Sequence, residues 1–310
     1  MMMEKMVDWG LRVYGNTFKR VRPAHRVFHK LTATVLVPVF EKVMRFATIE
    51  QDPLWFRVRL LTGSYEPETV KLVKQHVKAG MTVLDIGANV GYYSKLFSKL
   101  VGDQGQVISF EPHPMTFKVL SENVSPPGNV RAIEAAISDK NGKSEFFDFL
   151  VDSGGSSLRF DAERRREQWD RLTDEEIIPK IVNNTTVARY SVTTRTVDSV
   201  LQELGVKTVD FIKMDIEGAE IHAISGMGTT LKNSPHLQMV MELNPRSLQS
   251  FGLDANAAFA QLKKVGFDHI SLIDEKTNFM YLEDPHTLAD LERSLLDGLG
   301  RVNILCKMGG

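Results

Sequence analysis

Short apolar segments alternate with segments of helical periodicity along much of this 310-residue chain, and this alternation restricts the fold more than any other feature. Apolar runs predict strands at 81–86, 106–110, 130–136, 209–214 and 237–242, and spacings of three and four predict helices at 67–78, 92–101, 115–123, 219–231 and 255–265. Strands that alternate with helices of this length form parallel βαβ units with right-handed crossovers. The sequence therefore predicts an α/β fold with a doubly wound sheet.

The middle of the chain is less regular. Residues 143–149 and 190–197 alternate between apolar and polar side chains, which predicts two strands that pair as an antiparallel extension of the sheet. Between them, the charged stretch 161–176 contains Arg164, Arg165 and Arg166 in a row. It is interpreted as an exposed helical insertion that could serve as a lid, with a solvated charged face favoured over an anion site.

The two ends of the chain complete the predicted organisation. Apolar runs at 269–273, 278–282 and 301–306 predict terminal strands. Residues 1–60 contain several proline breaks and are expected to form a helical N-terminal extension. The remainder, 61–310, is expected to be one main domain, with 143–200 as an insertion.

Composition excludes several classes of protein. The chain is 43% apolar and 25% charged, which is typical of a globular protein, and its net charge of −1 provides no general attraction for nucleic acid. A single cysteine, Cys306, rules out an internal disulfide and cysteine-rich metal sites. The chain has neither an apolar run of the ~20 residues that a membrane span needs nor a signal-peptide pattern. We therefore expect a cytoplasmic protein.

Charge is distributed unevenly between the two predicted regions. Residues 1–60 contain eleven Lys or Arg and five Asp or Glu, a charge of +6, which leaves −7 for the remainder. Basic residues interleaved with aromatic ones between residues 5 and 30 could lie on an anionic membrane surface. The favoured alternative is an extension that simply packs on the main domain.

The first strand runs into a glycine-rich turn that opens a helix, in the segment Val83–Gly91. Gly87 permits a positive φ and a close approach of the backbone to a ligand, and Gly91 lets the helix begin close to the strand. The third glycine of the dinucleotide fingerprint is missing, and Asp85 would repel a phosphate. A carboxylate at that position suits a cationic ligand such as S-adenosylmethionine (AdoMet), whose own carboxylate can bind the helix N–H groups.

Two further strand ends fit a nucleoside. Glu111 follows the second strand, twenty residues after Gly91, where an acidic residue accepts hydrogen bonds from ribose hydroxyls. The third strand ends in the small residues Ala135 and Ala136, which leave room for adenine beside Ile137, and Ser138 or Asp139 could bind the amine of that ring. Together, the three strand ends predict an AdoMet site.

These motifs resemble those of the FkbM-type AdoMet-dependent methyltransferases over about residues 61–282. The matching segments are Tyr65–Thr69, Asp85–Ser94 (DIGANVGYYS), Phe110–Pro114 (FEPHP), Ala135–Asp139 (AAISD), Thr194–Val200 (TRTVDSV) and Phe211–Glu220 (FIKMDIEGAE). The resemblance implies a Rossmann-like, mostly parallel sheet of seven strands with the last strand antiparallel. It also implies O-methylation of a hydroxyl on a sugar, glycan or natural product.

The resemblance assigns roles residue by residue. It implies that the cofactor is bound by Asp85, Gly87, Asn89, Gly91 and Glu111, together with Pro112 of the FEPHP segment and Ala136, Ile137 and Ser138 near the adenine. Tyr65 and Glu66 are expected to line the methionine end of the cofactor.

A second acidic segment follows the fourth predicted parallel strand. Lys213 and Asp215 share one face of that strand, and Glu217 and Glu220 follow at the loop and the first helical turn. Ligands bind at the carboxyl ends of such strands, so Asp215 is expected near the methyl group of AdoMet, as cofactor contact and as general base. Lys213, Glu217 and Glu220 are candidate substrate residues.

Alternatives remain for this segment. Glu242 is the second candidate for the base, and His113 and His222 are further ones, although a loop position and a helix face also suit structural histidines. Glu217 and Glu220 could cap a helix and Lys213 could pair with an acid. Asp215 and Glu217 could bind a divalent cation, but no metal is expected.

Three functions are weighed. The first is an O-methyltransferase for a small-molecule or glycan acceptor, without a nucleic-acid partner. The second is a methyltransferase for a protein or lipid acceptor that docks through residues 1–60. The third is an AdoMet-binding module without catalysis. A nicotinamide oxidoreductase ranks below these because the third fingerprint glycine is missing.

Overall fold

A computed structural model describes residues 27, 29–126, 128–148, 153, 156–158, 188–273, 280–281 and 301–309. The prediction for 161–176, including Arg164–Arg166, lies outside the described residues. The strands are β1 (Thr82–Ile86), β2 (Gln106–Phe110), β3 (Val130–Ile133), β4 (Ala136–Ile137), β5 (Gly142–Asp148), β6 (Ala188–Arg195), β7 (Phe211–Met214), β8 (Gln238–Leu243), β9 (Phe267–Ile273), β10 (Met280–Tyr281) and β11 (Val302–Met308).

Helices lie at all five positions predicted for the main domain, and helices that were not predicted lie beside them. The helices are α1 (Val37–Met44), α2 (Leu54–Thr62), α3 (Pro67–His76), α4 (Tyr92–Val101), α5 (Pro114–Val124), α6 (Val197–Leu204), α7 (Glu220–Ser225), α8 (Gly228–Asn233), α9 (Pro245–Ser250) and α10 (Ala255–Lys264), and a π-helical turn, Thr32–Leu36, precedes α1. The helix predicted at 219–231 is divided into α7 and α8. A Cβ on Gly226, between them, would lie 2.3 Å from the carbonyl oxygen of Ser138, so the backbones meet there.

The main sheet has the order β10-β9-β11-β8-β7-β1-β2-β3. Strands β3, β2, β1, β7 and β8 are parallel, and β11 is antiparallel to both β8 and β9. The prediction of a Rossmann-like, seven-stranded, mostly parallel sheet with an antiparallel last strand is confirmed. The short strand β10 adds an antiparallel edge beside β9.

The central strands are buried on both faces. In β1, Leu84 and Ile86 join one apolar cluster, whereas Val83 joins the cluster on the opposite face. The period of two along a strand produces this division, and two-sided burial explains why these strands are continuous apolar runs. The charged Asp85 and Lys213 are buried at the carboxyl ends of two such strands, where they lie directly opposite each other in the register.

A separate three-stranded sheet has the order β4-β6-β5. The antiparallel pairing of the two central segments is confirmed, but they do not extend the main sheet. The segment predicted as one strand at 130–136 is divided, because the chain turns at Ala135, whose N–H donates to the carbonyl of Ile133. Ala136 and Ile137 therefore pair with β6 instead of β2.

The N-terminal helices pack on the main domain. Val37, Phe46 and Ile49 form a buried cluster with residues of α2 and with Val90 of the glycine-rich turn. The side chain of Asn123 donates to the carbonyls of Val90 (2.7 Å) and Ala47 (2.9 Å). Among the described residues, no helix has the length and hydropathy that a membrane crossing requires.

Candidate active site

The carboxyl ends of β1, β2, β7 and β8 lie side by side at one edge of the main sheet. The N–H groups of Gly87 and Ala88 donate to the carbonyl of Phe110 at the end of β2. A Cβ on Gly87 would lie 1.9 Å from the carbonyl oxygen of Asp215, and Gly87 has a φ of +82°. Only glycine therefore allows the first turn to lie against the end of β7, which brings two predicted site segments together.

Asp85 is buried with one carboxylate oxygen bonded and one available. Ser94 of α4 donates to Oδ2 at 2.5 Å, and Ser109 donates in turn to Ser94 at 2.8 Å. Oδ1 has no hydrogen-bond partner among the described residues. Burial raises the pKa of Asp85 to about 6, although Lys213 and the Ser94 hydroxyl counteract it. A ligand N–H or ammonium group is the kind of partner that Oδ1 requires.

Glu111 organises the loops after β1 and β2. Its Oε2 accepts from the N–H of Asn89 at 3.0 Å and its Oε1 accepts from the N–H of His113 at 2.9 Å. Burial raises the pKa of Glu111 to about 7 against these two bonds. Pro112 is half-buried between Glu111 and His113. The carboxylate is therefore held in place by the backbone of both loops before any ligand binds.

The remaining predicted cofactor residues frame these two acids. Asn89 has a φ of +49°, and its side chain donates to Ser153 (3.1 Å), which donates to Asp52 at 2.9 Å. A Cβ on Gly91 would lie 2.8 Å from Leu120, so the turn packs closely on α5.

At the third strand end, Ala136 and Ile137 are buried in β4. The N–H of Ser138 donates to the carbonyl of Arg195 (2.9 Å), and its hydroxyl donates to Asp139 (3.1 Å).

Tyr65 and Glu66 lie in the site and directly precede α3. Glu66 has a φ of +44°, and its Oε2 accepts from the hydroxyl of Tyr93 at 2.7 Å. Burial raises the pKa of Glu66, and Lys213 counteracts the rise. The ring of Tyr65 meets Tyr92 edge-on at 5.7 Å. The two residues are thus connected to the glycine-rich turn through the tyrosines of α4.

Lys213 is the buried cation of the site. Its Nζ donates to Oδ2 of Asp215 at 2.9 Å and lies 5.1 Å from the ring centre of Tyr93. Burial alone would lower the pKa of Lys213, but the carboxylates of Asp215, Glu66 and Asp85 outweigh burial and raise it. Lys213 therefore remains charged and favours the ionised form of Asp215.

Three acids meet at the ends of β7 and β8. One carboxylate oxygen from each of Asp215, Glu217 and Glu242 lies within 4.8 Å of the others. Arg301 approaches Glu242 at 3.4 Å. Burial raises the pKa of Glu242, and repulsion from Asp215 and Glu217 adds to that rise against the attraction of Arg301. Such a group can share a proton or hold a hard divalent cation through oxygen ligands.

The side chain of Glu220 binds the backbone of the loop that precedes it. Its Oε1 accepts from the N–H groups of Ile216 (3.0 Å) and Gly218 (3.3 Å), and burial raises its pKa to about 7. Glu217, with a φ of +58°, accepts a bond from Ser157 at its carbonyl. The contacts of Glu220 are those of a residue that holds its loop in place, a role that the sequence interpretations, a substrate contact or a helix cap, did not include.

The two histidine candidates contact other elements. The Nδ1 of His113 accepts from the N–H of Thr116 (3.3 Å) and so caps α5, while Nε2 lies 3.3 Å from Asp148 of the second sheet. Its ring meets that of Tyr190 at 4.7 Å. His222 lies against Phe251 at 5.3 Å. Both histidines therefore make contacts typical of structural residues.

Sequence reasoning missed several residues of the site. Ser94 lies inside the DIGANVGYYS segment, so its position in the first turn of α4 could have identified it as a partner of Asp85. Arg301 and Asp52 lie far from the motifs in sequence, and only the tertiary structure brings them to Glu242 and, through Ser153, to Asn89. No local pattern marks these two residues.

Comparison with known proteins identifies the domain that contains this site. The family model described as "Methyltransferase FkbM domain" matches residues 85–270, more than half of the chain. The "2-O-methyltransferase NoeI" of Sinorhizobium fredii is 32% identical over 158 residues, which cover 50% of this chain and 60% of that protein. The "Hexuronic acid methyltransferase AglP" of Haloferax volcanii is 23% identical over 190 residues, 61% of this chain and 66% of that protein. The chain thus spans less than two thirds of both relatives.

Among solved structures, a SAM-dependent O-methyltransferase of Thermotoga maritima aligns with 79% of this chain and 66% of its own. The identity is 12% and the TM-score is 0.40. The predictions of family and of AdoMet as the cofactor of this domain are confirmed by the comparisons.

Proposed function

Because the chain belongs to the FkbM methyltransferase family, we propose that it transfers the methyl group of AdoMet to a hydroxyl on a sugar, glycan or related natural product. The observation that carries this proposal is the acidic group at the ends of β7 and β8, which the close contact of Gly87 with Asp215 places beside the predicted cofactor turn. The names of two relatives, a 2-O-methyltransferase and a hexuronic acid methyltransferase, support a sugar hydroxyl as the acceptor.

The cofactor is proposed to bind along the carboxyl ends of β1, β2 and β4. Asp85 would accept from its ammonium group, since Oδ1 lacks a partner among the described residues. Glu111 would accept from the ribose hydroxyls, and Ala136, Ile137 and Ser138 would lie beside the adenine. Tyr65, Glu66, Gly87, Asn89, Gly91 and Pro112 complete this proposed surface.

Asp215 is the proposed general base. When bound, AdoMet would supply an activated methyl group: the acceptor oxygen would bond to the methyl carbon as the carbon–sulfur bond breaks with its electron pair on sulfur, and S-adenosylhomocysteine would leave as a neutral thioether. The hydroxyl proton passes to Asp215, whose ionised form Lys213 stabilises. Glu242 is the second candidate for the base, and Glu217 would contact the acceptor. His113 and Glu220 are proposed to position the surrounding loops.

The domain organisation also remains a proposal. Residues 61–310 would form the methyltransferase domain, with 143–200 as an insertion that carries β6 and nearly all of β5, whereas β4 of the same sheet lies before it. Residues 1–60 would form a helical extension. In the structure, α2 (Leu54–Thr62) crosses residue 60, and its apolar residues pack in the same cluster as Val90.

The test is a turnover assay with AdoMet labelled in the methyl group. The full chain is incubated with monosaccharides, uronic acids, oligosaccharides, a glycolipid fraction and a protein fraction, and label in an O-methyl ether is identified by mass spectrometry after hydrolysis. We expect a labelled sugar ether. Label confined to protein, or AdoMet binding by calorimetry without turnover on any fraction, would contradict the proposal.

The same assay with EDTA distinguishes between two chemical roles of the acidic group, proton acceptor and metal ligand. If Asp215 acts as a base without metal, EDTA leaves the rate unchanged. If the acids hold a divalent cation, EDTA abolishes turnover and added Mg²⁺ restores it. Loss of turnover with EDTA and its restoration by Mg²⁺ would therefore indicate a metal-assisted step and contradict the proposal that Asp215 acts as a base without metal.

A further inference from the structure

An apolar stripe lies exposed along the N-terminal helical segment. It consists of side chains four residues apart, between 47% and 72% exposed: Val27, Leu31, Val35, Val39 and Val43. A spacing of four keeps successive side chains on one side of a helix. Single exposed apolar residues are common, but a contiguous row along one helix marks an interaction surface.

The opposite side of the same segment is fixed to the protein. Thr32 and Val37 are buried, and Val37 packs in the cluster with Phe46 and Ile49. At the end of α1, Lys95 of α4 donates to the carbonyls of Met44 and Arg45. The segment is therefore anchored on one face, which leaves the exposed stripe on the other.

The charges around the exposed stripe are positive. Lys30, Lys42 and Arg45 are exposed on or beside the segment. Glu41 is the sole acidic residue between 29 and 45, and its Oε1 accepts from Thr48 and lies 3.4 Å from Arg57. The acid is therefore engaged by the protein, while the basic groups face solvent beside the apolar row.

We propose that the exposed stripe docks on the surface of an anionic lipid bilayer, with the helical segment lying in the plane of the interface. Apolar side chains next to lysines are the composition of an interfacial helix, and long basic side chains reach the headgroups from its flanks. Trp55 is 44% exposed, with the Arg59 guanidinium 5.7 Å from its ring, a pairing suited to the headgroup region.

The positive charge of the segment favours an anionic bilayer over a second copy of the chain as the partner of the exposed stripe. Residues 29–45 contain three basic residues and one acidic residue, a charge of +2, so two copies that met through this segment would bring like charges together. An anionic membrane instead neutralises them. Because no described helix has the length and hydropathy of a membrane span, the proposed contact is peripheral. It is independent of the proposed acceptor.

The experiment uses the full chain in co-sedimentation with vesicles of phosphatidylcholine alone or mixed with phosphatidylglycerol. We expect binding to the mixed vesicles that weakens as salt is raised, and at least tenfold weaker binding to phosphatidylcholine alone. Equal binding to both vesicles, or none to either, would overturn the proposal without any variant.

Variants then test whether the exposed stripe is the surface that binds the vesicles. The triple variant Val35→Asn, Val39→Asn and Val43→Asn, which leaves the net charge unchanged, should lower the partition coefficient at least tenfold, whereas Met115→Asn, which also replaces an exposed apolar side chain by an uncharged amide, on α5, should leave it unchanged. AdoMet affinity checks that both variants are folded. Binding that survives the triple substitution would contradict the proposal. So would light scattering in which wild-type protein is dimeric and the triple variant monomeric, because the stripe would then be a subunit interface.

Discussion

The ends of β1 and β2 hold their carboxylates in a different way from the ends of β7 and β8. Asp85 and Glu111 accept from a hydroxyl and from backbone N–H groups, which fix their positions. Asp215, Glu217 and Glu242 instead lie close to one another, with Lys213 and Arg301 as the neighbouring cations. The first arrangement is preorganised for a ligand of fixed shape. In the second arrangement, neighbouring charges influence whether each carboxylate carries a proton. Such a group of carboxylates suits proton transfer.

The largest effect is expected at the second of these regions. Asp215→Asn keeps the shape of the side chain but removes the proton acceptor, so kcat should fall by ~10²–10⁴-fold. The Kd for AdoMet should change by less than about threefold, because Asp85 and Glu111 remain. Single-turnover kinetics and calorimetry measure the two constants.

Glu242→Gln is the matched control for that variant. If Glu242 rather than Asp215 takes the proton, the two variants exchange their effects on kcat. If neither variant lowers kcat, the division of the strand ends into a cofactor side and an acidic catalytic side is wrong.

The next largest effect is expected at the first region. Asp85→Asn removes the negative charge from a buried position that is proposed to face an ammonium group. Loss of one partner of a buried ion pair costs about 3–5 kcal/mol, so the Kd for AdoMet should rise by at least ~100-fold. Calorimetry with S-adenosylhomocysteine, which retains the ammonium but lacks the sulfonium, should show the same loss. A loss confined to AdoMet would mean that Asp85 recognises the sulfonium.

The sequence predicted the strand ends of both regions, but it did not predict every element that lies beside them. Strand periodicity and the glycine turn located the carboxyl ends of β1, β2, β7 and β8, because a buried parallel strand is a continuous apolar run. The sequence could not show that Ala135 turns the chain out of the main sheet, since a strand that bends keeps its apolar pattern. It also missed α6, although Thr196 caps that helix by accepting from the N–H of Ser199 at 3.1 Å.

Long-range contacts account for most of what was missed in the site. Asp85 and Glu111 belong to local motifs, so their spacing sufficed to identify them. Arg301 reaches Glu242 only because β11 lies between β8 and β9 in the sheet, a property of topology that local sequence does not contain. The roles of Glu220 and His113 likewise depend on which backbone groups and strands lie beside them.

A smaller effect should appear in the pH dependence of stability. Burial raises the pKa of Glu111 from 4.5 to about 7, so the folded protein binds a proton that the unfolded chain has released. Its contribution to the free energy of unfolding is therefore highest below about pH 4.5 and declines until about pH 7, by about 3 kcal/mol in all. Urea unfolding of the AdoMet-free protein at about pH 5 and about pH 8 measures the decline.

Glu111→Gln isolates that contribution, because the amide does not titrate. The difference in unfolding free energy between wild type and variant should change by about 2.5 kcal/mol between the two pH values, with the wild type relatively more stable at the lower one. The contribution of Asp85, whose pKa is also raised, cancels in this difference except for its electrostatic coupling to Glu111. An unchanged difference would show that the two backbone donors fully offset the burial of Glu111.

The smallest effect concerns the connection between the glycine turn and the N-terminal helices. Asn123→Ala removes the bonds to Val90 and Ala47 and leaves part-buried backbone groups without them, so the free energy of unfolding should fall by about 2 kcal/mol. Asn129→Ala, which removes bonds to Ser98 and Gly102, is the matched control. Only Asn123→Ala should also weaken AdoMet binding, by about threefold, because only Asn123 holds the turn that carries Asn89. Equal affinities for AdoMet in the two variants would mean that the first region is preorganised by Glu111 alone, without support from residues 44–52.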